Sequence, residues 1–177
     1  MWRARRTSRV RVRALRPRRV LVLCYGNIYR SPFVSEALRS GALPHGLVVR
    51  SAGFHPKPER QTPAAFVAIA AEHGVMLDAH RSRVIDRELV EWAEAIVIMD
   101  RHNWDALRAF GAAAVAKAVW LGAFLDAGSV EITDPYGTDA AVMRPIAARL
   151  HAATSGLRSA LNDAARERAA LPHASAP

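Results

Sequence analysis

The stretch Val20-Leu21-Val22-Leu23-Cys24-Tyr25-Gly26-Asn27-Ile28-Tyr29-Arg30-Ser31-Pro32 reads as a strand, a tight turn and the start of a helix. Four consecutive apolar residues, two of them β-branched, suit a strand covered on both faces, as in a parallel sheet. Ser31-Pro32 is a good N-cap and N1 pair, so a helix is predicted from Pro32 to near Gly41. The turn between them holds the chain's one thiol, Cys24, and ends on Arg30. Gly26 and Asn27 are the residue types that best tolerate left-handed backbone angles. Amides of such a turn can converge on one point and form an anion nest, and the following helix adds positive potential there. A tetrahedral oxyanion fits this description, with Arg30 gripping two of its oxygens. The same field favours the thiolate, the nucleophilic form of Cys24.

The rest of the chain alternates in the same way. Further strands are predicted at 47–50, 95–99 and 116–121. Helices are predicted from a Thr62-Pro63 cap to His73 and Gly74, over 86–92, over 103–110 up to Gly111, and from Asp139 or Arg144 onward. The last has a stripe of Val142, Ile146, Leu150, Ala153, Leu157 and Leu161 at spacings of three and four, and tolerates Pro145 only in its first turn. Strands alternating with helices argue for an α/β fold with a parallel sheet and right-handed crossovers. Ligands in such folds bind beyond the carboxyl ends of the strands, which is where Cys24 lies.

Composition sets further bounds. The 177 residues carry a formal charge of +9 and are 51% hydrophobic, enough for a core. Nine arginines and no acidic residue fall within 1–19, while the rest of the chain is balanced. This predicts a basic, disordered arm over 1–19, a domain over 20–162 and a flexible tail over 163–177. The arm could contact nucleic acid or an anionic membrane surface, although Trp2 alone offers little base stacking. A single cysteine excludes an internal disulfide, a thiolate zinc cluster and an iron–sulfur site. Apart from His80, the six other histidines show no ligand spacing, so neither metal nor other cofactor is expected. Trp92, Trp104 and Trp120 read as packing residues. No apolar run approaches the roughly 20 residues of a membrane span, and Val20 to Leu23 is too short for a signal sequence. A cytoplasmic monomer with a free thiol is expected.

Cys-x5-Arg alone recurs by chance roughly one time in eight in so Arg-rich a chain. With Gly26, Asn27 and Ser31-Pro32 also required, chance falls to roughly one in a few million. This loop resembles that of the low-molecular-weight protein tyrosine phosphatase family, over VLCYGNIYRSPFVS (22–35). Further landmarks follow in the family's order: Arg50-Ser51-Ala52-Gly53, His80 within DAHRSR, Met99-Asp100-Arg101-His102-Asn103, and Asp134-Pro135-Tyr136. The resemblance implies a four-stranded parallel sheet flanked by helices on both faces, a phosphate-binding loop after the first strand, and metal-independent hydrolysis of phosphotyrosine. It implies that Cys24 forms a cysteinyl-phosphate, that Arg30 and the amides of Tyr25, Gly26, Asn27, Ile28, Tyr29 and Arg30 hold phosphate oxygens, and that Asp134 is the general acid and base. Ser31 would donate to the sulfur, and Asn27 with Ser51 and His80 would brace the loop. Taken alone, His80 reads equally well as an ordinary hydrogen-bonding histidine. Tyr25, Phe54 and Tyr136 would wall the pocket. The implied partner is a phosphotyrosine protein, with a bacterial tyrosine kinase among the candidates.

Three positions depart from the family pattern: bulky Tyr25 beside the thiol, Phe54 where a Thr is common, and Tyr29 where most members carry a second cysteine. A thioredoxin-coupled arsenate reductase would need further cysteines. A phosphoarginine phosphatase tends to have Thr in place of Ile28. A second class of function, an anion-binding adaptor tethered by the Arg-rich arm, is distinguished by deleting the arm and measuring turnover and nucleic-acid binding separately. With no resolving thiol at Tyr29, oxidised Cys24 should run on to sulfinic and sulfonic acids. Peroxide-inactivated enzyme is therefore expected to recover poorly in dithiothreitol, and full recovery after stoichiometric peroxide would contradict this.

Overall fold

Strand β1 (Arg19–Cys24) lies at the centre of the molecule, paired in parallel on one side with β2 (Val48–Gly53) and on the other with β3 (Ala95–Ile98). Strand β4 (Ala118–Trp120) pairs with β3 and closes the order β2-β1-β3-β4. The coordinates are a computed structural model that describes residues 2–170. Side chains of β1 alternate across the sheet. Val20, Val22 and Cys24 enter one apolar cluster, and Leu21 and Leu23 enter the other. Both faces are thus buried, which explains the unbroken apolar run.

The first cluster is completed by α2 (Arg30–Arg39), α3 (Ala64–Ala71) and the long α7 (Ala140–Ala169). The second is covered by α4 (Arg87–Trp92), α5 (Arg101–Leu107) and α6 (Ala112–Ala116). The expected α/β architecture with a four-stranded parallel sheet between helical layers is what the chain adopts. Strand order reverses between β1 and β3, so the crevice of such a fold opens beside the loop that follows β1.

Helix starts differ from expectation where side chains have other partners. Ser31 does not cap α2; the N-cap is Tyr29, with no side-chain bond, and the Ser31 hydroxyl contacts the Cys24 sulfur instead. Thr62 does not cap α3 either, because Pro63 takes that position. Asp86 and Asp139 do cap, accepting from the Leu89 and Val142 amides at 2.7 and 3.0 Å. Start at Asp139 places Pro145 in the second turn of α7 rather than the first. Helix α5 begins before 103 because Asp100 accepts from the Asn103 amide at 2.8 Å. Helix α6 was not anticipated. The expected 116–121 strand shrinks to β4 because Leu121–Phe124 tightens into a 3-10 turn.

Both expected tails are corrected. Residues 2–15 are not an extended arm but a helix, α1 (Trp2–Leu15), with Val12 buried in the first cluster. Helix α7 runs past the expected domain end at 162, and burial of Ala164 holds it down. The remainder of the expected tail, 171–177, lies outside the described residues. No helix among the described residues is long and apolar enough to cross a membrane.

Gly156 lets α7 touch the 3-10 turn: a Cβ there would collide with the Phe124 carbonyl oxygen. Gly→Ala inside a helix normally stabilises by up to about 1 kcal/mol. Here overpacking should win, so Gly156→Ala is expected to lower stability by about 1–3 kcal/mol in urea denaturation.

Candidate active site

Cys24 ends β1 and is 2% exposed. Its sulfur lies 3.0 Å from the Ser31 hydroxyl, which can donate to a thiolate, and the Asn27 N–H donates to it at 3.2 Å. The chain turns back on itself through Asn27, whose φ of +49° is in the left-handed region. Asn27 is a tolerant residue type for that angle, and its side chain fixes the turn. Its amide nitrogen donates to Ser31 Oγ at 2.9 Å and to Ser51 Oγ at 3.1 Å, and its Oδ1 accepts from the Arg83 N–H at 2.8 Å. His80 Nε2 donates to the Asn27 carbonyl at 2.8 Å, which fixes the tautomer of the neutral ring. Burial pushes the His80 pKa below its ordinary value; the bond to Asn27 opposes this, and Arg39 and Arg81 add to it. Ser31, Ser51 and His80 thus all meet Asn27, as their expected bracing role requires.

The loop presents donors without protein partners. No acceptor on the described residues is found for the N–H groups of Gly26, Ile28 or Tyr29. Arg30 is 1% exposed, and its Nε is also unpartnered among the described residues. Its Nη1 pairs with Asp100 and donates to the Ile132 carbonyl at 2.9 Å, and its Nη2 pairs with Asp134. Burial alone would lower the Arg30 pKa; the Cys24 sulfur, Asp134 and Asp100 outweigh it and hold the group above its ordinary value. A fixed cation therefore sits beside the thiol. Asp134 also accepts from the Tyr136 N–H at 3.2 Å, an Asx turn that orients its carboxylate.

A cavity of about 210 Å³ opens at this point, lined by Cys24, Tyr25, Gly26, Ile28, Tyr29, His55, Arg60, Asp134 and Tyr136. The structure therefore brings the thiol and the candidate acid to one cavity. Tyr25 and Tyr136 stand at its mouth, both exposed. Phe54 does not join them, which corrects its expected place in the wall. It packs against the second apolar cluster, and its neighbour His55 faces the cavity. Tyr25 meets His55 and His102 edge-on, with ring centroids 5.8 and 5.3 Å away. Tyr29 packs edge-on against Phe66 at 5.1 Å, and burial, Asp134 and Tyr136 push its phenol above the ordinary pKa. Two contributors had no assigned role in the sequence reading. Arg60 donates to the Gly26 carbonyl at 2.6 Å, and Asp100 holds Arg30. Asp100 stood only within the Met99-Asp100-Arg101-His102-Asn103 landmark; nothing in the sequence marked Arg60. Among the described residues no group of three or more His, Cys, Asp or Glu is placed to hold a metal.

A parallel α/β sheet with a thiol, a buried guanidinium and a carboxylate around one switch-point cavity defines a narrow class of proteins. The chain belongs to the low-molecular-weight phosphotyrosine protein phosphatase family, whose sequence model matches residues 19–167, and so to a family of phosphatase enzymes. It is 34% identical over 117 residues to the low-molecular-weight protein-tyrosine-phosphatase Etp of Escherichia coli K12, covering 66% of this chain and 76% of that protein. It is 30% identical over 128 residues to a protein-arginine-phosphatase of Geobacillus stearothermophilus, covering 72% and 85%. The solved structure of the YwlE arginine phosphatase from G. stearothermophilus superposes with a TM-score of 0.77 at 27% identity, covering 89% of this chain and 99% of that one.

Asn27→Ala would strand the Arg83 N–H and place a less tolerant residue at positive φ. It is expected to cost about 1–3 kcal/mol in denaturant unfolding and to lower turnover sharply. His80 gives a pH signature. Its folded pKa lies below the ordinary imidazole value of 6.5, so as pH falls past 6.5 the unfolded chain takes up a proton that the folded one refuses. Stability should fall through the window between 6.5 and the lower folded value. Unfolding of wild type and His80→Gln at pH 7.5 and 5.5 measures the effect; the loss on acidification should be smaller in the variant.

Proposed function

We propose that this enzyme hydrolyses phosphotyrosine in protein substrates without a metal, through a cysteinyl-phosphate. The observation that carries the reading is the shared cavity of Cys24 and Asp134, beside loop amides and an Arg30 Nε that have no acceptor among the described residues. The phosphate dianion docks on those donors, and its equatorial oxygens take Arg30 Nη2 from Asp134. The released carboxyl takes up a proton. The Cys24 thiolate attacks phosphorus; the S–P bond forms as the P–O bond to the ring breaks, and Asp134 gives its proton to the departing phenolate. Water then attacks phosphorus, Asp134 accepts its proton, the S–P bond breaks and inorganic phosphate leaves. The Ser31 hydroxyl and the Asn27 N–H stabilise the thiolate as it departs. Tyr25 and Tyr136 flank the substrate ring.

Phosphoarginine is the second reading, and the arginine phosphatase relative supports it. The aromatic mouth and the apolar Ile28 in the wall favour an aryl ester instead.

Turnover of p-nitrophenyl phosphate and of a phosphotyrosine peptide by wild type, Cys24→Ser and Asp134→Ala tests the scheme. Cys24→Ser should be inert towards both. Asp134→Ala should lose about 10²–10⁴-fold on the peptide and less on the nitrophenyl ester, whose leaving group needs less protonation. EDTA should leave wild type unchanged. A phosphoarginine peptide turned over faster than the phosphotyrosine peptide would decide for the second reading.

A further inference from the structure

Helix α1 lies against the outer edge of β4, ahead of the family match that begins at residue 19. The Ile96 amide donates to the Lys117 carbonyl at 2.9 Å, so residues 117 and 119 face β3. Residues 118 and 120 therefore turn their backbone groups to the open edge. Side chains of α1 meet both. The Trp120 N–H donates to Ser8 Oγ at 3.1 Å, and Arg11 donates to the Ala118 carbonyl at 2.5 Å. The same helix continues past the strand. Arg9 donates to the Ala123 and Leu125 carbonyls at 2.9 and 3.2 Å, and Arg5 donates to the Gly128 carbonyl at 2.8 Å. Ser8 and Val12 are each 1% exposed, with Ala4 packed against the same cluster. At the far end Arg13 pairs with Glu167, and Arg168 donates to the Arg16 carbonyl at 2.6 Å.

We propose that α1 is a built-in cover for the β4 edge, and that it keeps this edge from pairing with the β4 edge of a second copy of the chain. An open edge strand is a template for another strand. The same edge on an identical chain is always at hand, and a two-fold axis makes such an edge complementary to itself. The exposed strand would be Ala-Val-Trp, without a charge to deter pairing. Arg5, Arg9 and Arg11, which could serve a nucleic acid or a membrane, are directed instead at carbonyl oxygens of their own chain. The hydrogen bonds and ion pair of α1 given above reach no residue that lines the Cys24 cavity, so the inference stands apart from the phosphatase reading.

Full-length protein serves for the test. Ser8→Ala should speed hydrogen exchange of the Trp120 amide about tenfold and leave that of Val119, on the β3 side, unchanged. Val12→Asp should undock the helix and convert a monomer into a species of doubled mass that grows with concentration in light scattering. If Val12→Asp does not fold, Arg9→Glu/Arg11→Glu undocks the helix with the core intact. Turnover of p-nitrophenyl phosphate should persist in all of them. The proposal is overturned if Trp120 exchange does not respond to Ser8→Ala. It also fails if an undocked variant with fast Trp120 exchange stays monomeric, or if wild type loses Trp120 protection on binding transfer RNA or phosphatidylglycerol vesicles.

Discussion

A guanidinium buried to 1% exposure is the constraint around which this site is arranged. Such a charge is stable in an interior only if anionic and carbonyl partners surround it. Arg30 finds them on two different connections of the sheet. Asp100 comes from the link between β3 and α5, and Ile132 and Asp134 come from the link between β4 and α7. The cation therefore draws the carboxyl ends of β1, β3 and β4 to one point. That point is also where the thiol ends β1, so fold closure and the proposed catalytic assembly share one interaction. In the proposed mechanism Asp134 has two partners to choose between, Arg30 or a proton for the leaving group, and an incoming dianion resolves the choice by taking the guanidinium.

The loop itself depends on Asn27. A Gly at that position would accept the angle but could not hold it, because it lacks the side chain that reaches Ser31, Ser51 and the Arg83 N–H. Gly53 is needed for a different reason. A Cβ there would approach the Tyr25 carbonyl oxygen to 2.6 Å and the Asn27 nitrogen to 2.8 Å. The end of β2 thus packs backbone against backbone beneath the turn. His80 closes the assembly from outside by donating to the Asn27 carbonyl. With Asn27 engaged on every side, the turn is held in a shape whose Gly26, Ile28 and Tyr29 amides find no acceptor among the described residues.

The sheet was legible because parallel strands buried on both faces are nearly pure apolar runs, as in β1 and β3. Cys24 and Arg30 were legible because their spacing places them at the two ends of the turn after β1, whereas Asp134 was reached through the Asp134-Pro135-Tyr136 landmark of the family resemblance. Ser31 was misread as a cap since a hydroxyl before proline serves helix starts in general, and only the tertiary fold shows that sulfur competes for it. Phe54 was misread because a loop residue's facing is set by register: one position along, His55 meets the cavity instead. Arg60 left no local trace, its partner being the Gly26 carbonyl 34 residues away in sequence. At Ser31 and Arg60 a tertiary contact overrides the local preference.

Helix α1 shows why charge alone misled. Nine arginines in nineteen residues suggest mutual repulsion and an extended arm, but that argument treats each guanidinium only as a charge. It is also a rigid fork of donors. Ala4, Ser8 and Val12 recur every fourth residue, a stripe sufficient to seat a helix against an edge rich in carbonyl oxygens. Arg5, Arg9 and Arg11 then satisfy acceptors that the edge would otherwise turn to water or to another strand. Arg30 needs full anions because it is sealed from solvent. Arg5, Arg9 and Arg11 remain partly hydrated, so neutral carbonyls suffice for them.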